Sequence, residues 1–524
     1  MNFRNKLERL NPFEITKQFR MSQTSNHLSS AQPIQSEHAD ILLEVERDGI
    51  TYKTGVFSKG FKHNQFGEVP KQDWMDLLMS LRSGKANEFA DISLNPTSQR
   101  KLVSPQAAYR YSYMGQDTQS ITMPLHPDLN SNHAAGEMME VYEMAMHRDV
   151  PFIDIQNGVG PTINRATQTL NNYGNDFYGP KDNGNVTNRT LFRGPNTDEL
   201  IGPYVSQFLV QPYDYGNTEV NQKVKVEADV SNTVTTAGFL AVQDGEQIGS
   251  PNFTGDQKYI YSPRVLASYV HNDPVFQAYC TAGLIAFQNN IPLDDNTPIS
   301  NTEAGFVTFG LADIVLHVAH VAQLALQTAW HHKWIVNLRL RPEVMAARFH
   351  FTNSDGLDYG IDPNSHGTNT LLAMEQYNQV NFGSQTRLLP LVFPEGSPAH
   401  PSYPAGHATI AGACTTVLKA FFKTDLLLTD VGLTPMHSLD GDSLIPYAEA
   451  DAGNITVLGE FNKLASNIAT GRNMAGVHYR SDGDLGILLG EELAISYLFD
   501  LKQTYNETFD GWNLTKFDGS NIII

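Results

Sequence analysis

His400-Pro401-Ser402-Tyr403-Pro404-Ala405-Gly406-His407-Ala408-Thr409, followed by the apolar run Ile410 to Phe422, reads as a histidine delivered to the mouth of an anion site at the start of a helix. Pro404 suits the first turn of a helix, where its missing N–H costs nothing. Gly406 lets backbone approach a ligand closely. The amides around Ala405, Gly406 and His407 are expected to lie free at a helix N-terminus, a ready oxyanion site. His407 then stands beside the anion as an acid or base near neutral pH.

Two further segments extend the constellation. The first runs from Trp330 through His331, His332 and Lys333 to Arg341-Pro342. Lys333 and Arg341 are eight residues apart, about two turns plus 80° on one helix, so both cations lean toward one site. Lysine supplies a compact charge and arginine a planar fork that suits tetrahedral oxyanions. The second is Gly471-Arg472-Asn473-Met474-Ala475-Gly476-Val477-His478-Tyr479-Arg480-Ser481-Asp482. One continuous helix would point Arg472 and His478 to different sides, whereas a break at Gly476 lets them converge. Asp482, four residues beyond His478, is placed to hold one imidazole nitrogen and leave the other basic. Alone, each fragment is a solvated Lys–Arg face, an ordinary helix start or surface decoration. Three cations and two histidines in this order, amid apolar neighbours, point to a built site.

The combination resembles the superfamily of type 2 phosphatidic acid phosphatases and vanadium-dependent haloperoxidases. Its signature is a Lys followed by Arg-Pro, then Pro-Ser-Gly-His, then Ser-Arg with a following His and Asp. Lys333, Arg341-Pro342, Pro404-Ala405-Gly406-His407, Gly471-Arg472, His478 and Asp482 match it. Ala405 and Gly471 stand where the family has Ser. His400, seven residues before His407, and the eight-residue Lys-to-Arg interval are similar to the algal and cyanobacterial bromoperoxidases. Trp330, one helical turn before Lys333, is expected to line the same pocket.

The resemblance implies a mainly α fold, a paired four-helix-bundle core with long loops and a few short β-hairpins. It implies vanadate as cofactor, its oxygens held by Lys333, Arg341, Arg472 and the backbone at Ala405 and Gly406, with His478 as the metal ligand. His407 would take a proton from hydrogen peroxide and Lys333 would polarise the bound peroxide oxygen. Bromide or iodide would attack that oxygen, and the hypobromite-like product would halogenate an organic acceptor. His400 would tune His407 and the halide pocket. Asp482 and Asp273 belong to the surroundings, Asp273 as a carboxylate holding Arg472 or as a helix cap before Pro274. Relatives of this type are homo-oligomers. The missing Ser hydroxyl at Ala405 is expected to weaken anion binding by ~1–3 kcal/mol. A soluble acid phosphatase with His478 as nucleophile shares every ligand residue, and a decayed, non-enzymatic phosphate binder is the third reading.

The remainder sets bounds. The chain has 524 residues, 41% of them hydrophobic, enough for a large core. The motifs come from separated regions and must meet in one place, so residues 41–524 are read as one unit. Residues 1–40 are read as a polar arm, flexible over the Ser/Gln-rich part from Met21 and suited to exchange between subunits. A net charge of −20 makes nucleic acid and anionic membranes poor partners. Met1 to Arg20 has no apolar signal-peptide core, and no stretch of some 20 apolar residues is evident, so no membrane span is expected. Cys280 and Cys414 are read as buried thiols, with a disulfide between them left open. A hairpin is expected at Ile41 to Phe57 with Asp48-Gly49 at its turn, and a strand at Lys223 to Val230. Helices are expected at Glu137–His147, Pro263–Asn289, Leu311–Leu340, Thr409–Lys423, Glu460–Thr470 and Leu485–Tyr497.

Overall fold

The helix after the Pro-Ala-Gly-His turn runs Gly406–Phe421, and every residue in it except His407 is buried. A helix apolar on all sides belongs inside a bundle. It packs against the helices Leu311–His331, Val457–Met474 and Arg480–Lys502. Two glycines set the closest approach. A Cβ on Gly412 would lie 1.9 Å from the Ile487 carbonyl oxygen, and one on Gly490 would lie 2.1 Å from that of Thr409. Any larger residue would force these two helices apart.

A second group packs Asn132–Met146 against Pro161–Asn172, Pro342–Asp355 and Thr368–Phe382. It meets the first group through Val457–Met474. The paired bundles implied by the resemblance are therefore present. One continuous core runs through both, and a smaller cluster around Phe57, Trp74 and Trp334 ties the N-terminal hairpin to it.

This computed structural model describes residues 12–30, 35–112, 114–246, 249–298, 300–361 and 367–524. Residues 1–11 and 31–34 of the expected arm lie outside the described residues. Strands are short. Glu44–Arg47 pairs with Ile50–Lys53 across Asp48 and Gly49, whose φ angles of 51° and 77° suit the tight hairpin turn. Val224–Glu227 pairs with Phe253–Lys258 within the loop-rich region.

Several expectations are corrected. The segment from Met21 is not loose: Pro12–Ser30 is a helix, docked by Gln23 and His27, whose side chains reach Asp500 at 2.6 and 2.9 Å. The Pro263–Asn289 run is two helices, Pro263–Tyr269 and Gln277–Gln288. Pro274 disfavours helix in the residue before it, and the linker carries His271 and Asp273. The run from Leu311 stays α-helical only to His331, then takes a π-type turn over His332–Asn337 that ends at Leu338 with φ 47°. Arg341 lies beyond it, extended, directly before the Pro342 helix. Lys333 and Arg341 thus do not share a helix. Pro404 precedes the first turn instead of occupying it, because Ala405 is the N-cap. Cys280 and Cys414 are free thiols. Among the described residues, one helical run, Leu311–Asn337, is long and apolar enough to cross a membrane by length and composition. Its buried faces pack in the core described above.

Candidate active site

The break at Gly476 occurs as its sequence suggests. The helix ends at Met474, Gly476 takes φ 86°, and the Val477 amide turns back to the Arg472 carbonyl at 3.2 Å. Arg472, in the last helical turn, and His478, beyond the break, both line one cavity of about 520 Å3. His407, Gly406, His400 and Trp330 line it as well.

Lys333 and Arg341 sit beneath this cavity and grip the turn at 400–402. Lys333 Nζ donates to the carbonyls of Pro401 and Ser402 at 2.8 and 2.6 Å. Arg341 Nε donates to the His400 carbonyl at 3.0 Å, and its terminal nitrogens reach His400 Nδ1 and His478 Nε2, each at 3.0 Å. Arg472 donates to the Val270 carbonyl at 2.5 Å, but its Nε is buried without a partner. All three cations are buried. Burial, and for Lys333 also the neighbouring Arg341, pushes the ammonium well below its ordinary value. Burial brings Arg341 down to about 9 and Arg472 down to about 10. Buried cations served mainly by neutral carbonyls are a costly arrangement that a bound anion would relieve.

His478 is held at Nδ1, 2.8 Å from Asp482 Oδ2. Burial and Arg341 depress its pKa well below the ordinary value, so Nε2 is unprotonated and accepts from the Arg341 guanidinium at 3.0 Å. Asp482 is itself gripped. Arg339 donates to it at 2.6 Å and to Glu137 at 2.9 Å, and the Ser402 hydroxyl donates to its second oxygen. Burial opposes ionisation of Asp482, but Arg339 and His478 outweigh it and hold the carboxyl far below its usual range.

Gly406 forms the cradle floor. A Cβ there would lie 3.2 Å from the Trp330 ring, whose Nε1 is fixed on the Val103 carbonyl at 3.1 Å. Gly406 and His407 open their helix, where amides have no intrahelical acceptor. The Ala405 amide is different from expectation: it is taken by the Asp482 carbonyl at 2.8 Å. His400 stacks obliquely on Trp330, ring centroids 4.7 Å apart, and burial followed by Arg341 keeps it neutral.

Asp273 is at the site but with another partner. Its carboxylate meets His407 Nε2 at 2.9 Å, whereas Arg472 bonds the Val270 carbonyl. Burial opposes it, yet His407 and Arg472 hold the Asp273 carboxyl below its ordinary value. The sequence reading missed Arg339, Glu137 and Ser402. Arg339 had a signal: in extended chain, residues two apart share a side, which places it with Arg341.

The residues fit a tetrahedral oxyanion. Three buried cations and two helix-start amides surround a neutral imidazole whose outward nitrogen is unprotonated and held only by the Arg341 guanidinium among the described residues.

Comparisons with known proteins identify the family. Residues 315–507, which carry the cations and both histidines, match a family model described as the VCPO second helical-bundle domain. The chain is 31% identical to the vanadium-dependent bromoperoxidase of Corallina pilulifera, across 89% of this chain and 90% of that one. It is 32% identical to that of Ascophyllum nodosum, across 88% and 85%. The homohexameric structure of the second vanadate-dependent bromoperoxidase from Ascophyllum nodosum superposes with a TM-score of 0.88 at 27% identity, covering 97% of this chain and 90% of that one. With the bundles, the cation cradle and this full-length likeness in agreement, the chain belongs to the vanadium-dependent bromoperoxidases.

Proposed function

We propose that this protein is a vanadate-dependent bromoperoxidase, oxidising bromide or iodide with hydrogen peroxide to a hypobromite-like oxidant that halogenates organic acceptors. The observation that carries the reading is the buried oxyanion cradle closed by His478, with its Nδ1 committed to Asp482 and its unprotonated Nε2 on the Arg341 guanidinium, a bond that a bound oxyanion would take over. Lys333, Arg341, Arg472 and the amides of Gly406 and His407 would hold the oxygens of vanadate, and Nε2 of His478 would take the metal. Bound there, vanadate supplies Lewis-acid activation of peroxide. Lys333, with two of its three protons on carbonyls, has one left to polarise the reacting oxygen. His407 holds and moves the peroxide proton. His400, neutral between Arg341 and Trp330, shapes the halide side of the pocket.

The name shared by the relatives does not favour the phosphatase alternative. The assembly is proposed to be a homo-oligomer, as the Ascophyllum nodosum neighbour is a homohexamer, with the N-terminal 40 residues at subunit contacts and residues 41–524 acting as one unit. The test is elemental analysis of protein reconstituted with vanadate, with monochlorodimedone bromination measured against nitrophenyl phosphate hydrolysis. Stoichiometric vanadium with bromination is expected. Phosphate-ester hydrolysis without bromination would overturn the reading.

A further inference from the structure

A second cavity lies behind the acid/base. It has a volume of about 670 Å3 and its walls include Asp273, Glu227, Asn272 and Gln277. Asn272 and Lys225 on its wall are exposed, so it opens to solvent. The two cavities share a thin partition. His407 and His271 line the first; their carboxylate partners Asp273 and Glu227 line the second. The partition is braced by His271, 2.6 Å from Glu227 and 2.9 Å from Glu395, with its ring stacked on Phe393 at 3.8 Å.

The chemistry gives this geometry a use. The proposed reaction, H2O2 + Br⁻ + H⁺ → HOBr + H2O, takes up one proton from solvent in each turnover. The first cavity must pass peroxide, halide and oxidant. Nε2 of His407 faces away from that traffic, onto Asp273.

We propose that the second cavity is a proton inlet, through which solvent protons reach His407 by way of Asp273. A proton adds to the Asp273 carboxylate and passes to Nε2 of an Nδ1–H imidazole, giving an imidazolium paired with the carboxylate. The ring then turns its Nε2–H into the first cavity, that proton goes to the oxygen leaving with bromine, and the Nδ1–H imidazole turns back to Asp273; one proton enters and one leaves per cycle, and nothing is oxidised or reduced in the relay. The inference rests on the bromoperoxidase reading for its purpose, but not for its geometry.

The test separates inlet from reading. Asp273→Ala opens a gap toward the second cavity and is expected to lower kcat about 10²-fold, the range for losing a proton-transfer group. Formate, a small carboxylic acid, should restore at least tenfold of that loss. Adding Gln277→Phe, which fills the second cavity, should abolish the rescue. Equal rescue with and without the plug would mean that formate enters from the substrate side, and would overturn the inlet. Asn272→Trp, on the exposed rim, gives an independent plug if Gln277→Phe folds poorly. In the apo-protein labelled with [15N]histidine, either plug alone should slow solvent exchange of the His407 ring N–H by several-fold. An unchanged exchange rate would overturn the proposal whatever the enzyme halogenates. Bromination by vanadate-loaded wild type tests the functional reading separately.

Discussion

His478 and His407 each lean on an aspartate, at 2.8 and 2.9 Å, yet the two pairs are built on opposite plans. His478 and Asp482 are four residues apart, both buried, and the carboxylate is gripped again by Arg339 and Ser402. His407 and Asp273 are 134 residues apart, and the His407 side chain keeps 19% of its surface exposed. The first pair suits a nitrogen that must stay neutral and still. The second suits one that must meet substrate on one side and exchange a proton on the other. In the proposed roles, a metal ligand and an acid/base differ less in residue type than in who holds the partner carboxylate.

Breaking the rigid pair should cost the most. His478→Ala is expected to abolish stable vanadate binding with the fold intact, as read by vanadium content and circular dichroism. Tight stoichiometric vanadium in that variant would refute its role as ligand. His407→Ala should do the reverse, leaving vanadate bound while bromination drops about 10²–10⁴-fold. Near-wild-type bromination would place the proton on another group. Asp482→Asn sharpens the contrast by keeping the shape and removing the charge. It should weaken vanadate 10–100-fold, roughly the usual effect of losing a metal-ligand's orienting partner; an unchanged titration would show that Arg339 and Ser402 serve only packing.

A buried histidine outside both pairs contributes to the acid limit. Burial pushes His332 down to about 3 from an ordinary 6.5. Its folded-state value is depressed, so the fold keeps it neutral while the unfolded chain takes up a proton below 6.5. Its contribution to stability is complete above about 6.5 and is lost as pH falls toward 3. By about pH 4.5 that amounts to about 2–3 kcal/mol. Replacing His332 with Gln, which keeps a donor for the Ile121 carbonyl, should flatten the acid side of a denaturation-against-pH curve. An acid dependence identical to wild type would remove His332 as a cause.

How much of this was legible in the sequence follows the same division. The Gly476 break, the His478–Asp482 pair and the Gly406 cradle are local, and short-range spacing predicts them. Lys333 and Arg341 do meet at one place, but not along one helix. Helical periodicity carries no sign of the π-type turn and the φ 47° at Leu338 that redirect the chain. Asp273 was placed at the site but given Arg472 as partner, because pairing across 134 residues depends on how the bundles dock. Ser402 and Glu137 were missed because their contacts are with Asp482 and Arg339, which come together only in the folded chain.

The smallest expected effect concerns Ala405, where the family carries Ser. Ala405 is fully buried, caps its helix, and has its amide on the Asp482 carbonyl at 2.8 Å. A hydroxyl there has two uses. It can accept from the first amides of the helix, which at an N-cap stabilises by about 1 kcal/mol. It could also donate to an oxygen of the bound anion, one neutral hydrogen bond beside the charge-assisted set that Lys333, Arg341 and Arg472 would supply. Those cations would hold the anion without it. Ala405→Ser is therefore expected to raise Tm slightly and to keep bromoperoxidase activity within tenfold, a shift of ~1.4 kcal/mol. It should alter the balance among bromide, iodide and chloride more than vanadate affinity, because a new donor changes the basicity of the oxygens that the halide meets. Titrating vanadate into both apo-proteins and assaying both holo-proteins with each halide checks this. If the substitution turns an inactive protein into an active one, the cradle built from Lys333, Arg341 and Arg472 is insufficient by itself, and the natural chain is a decayed member of its family.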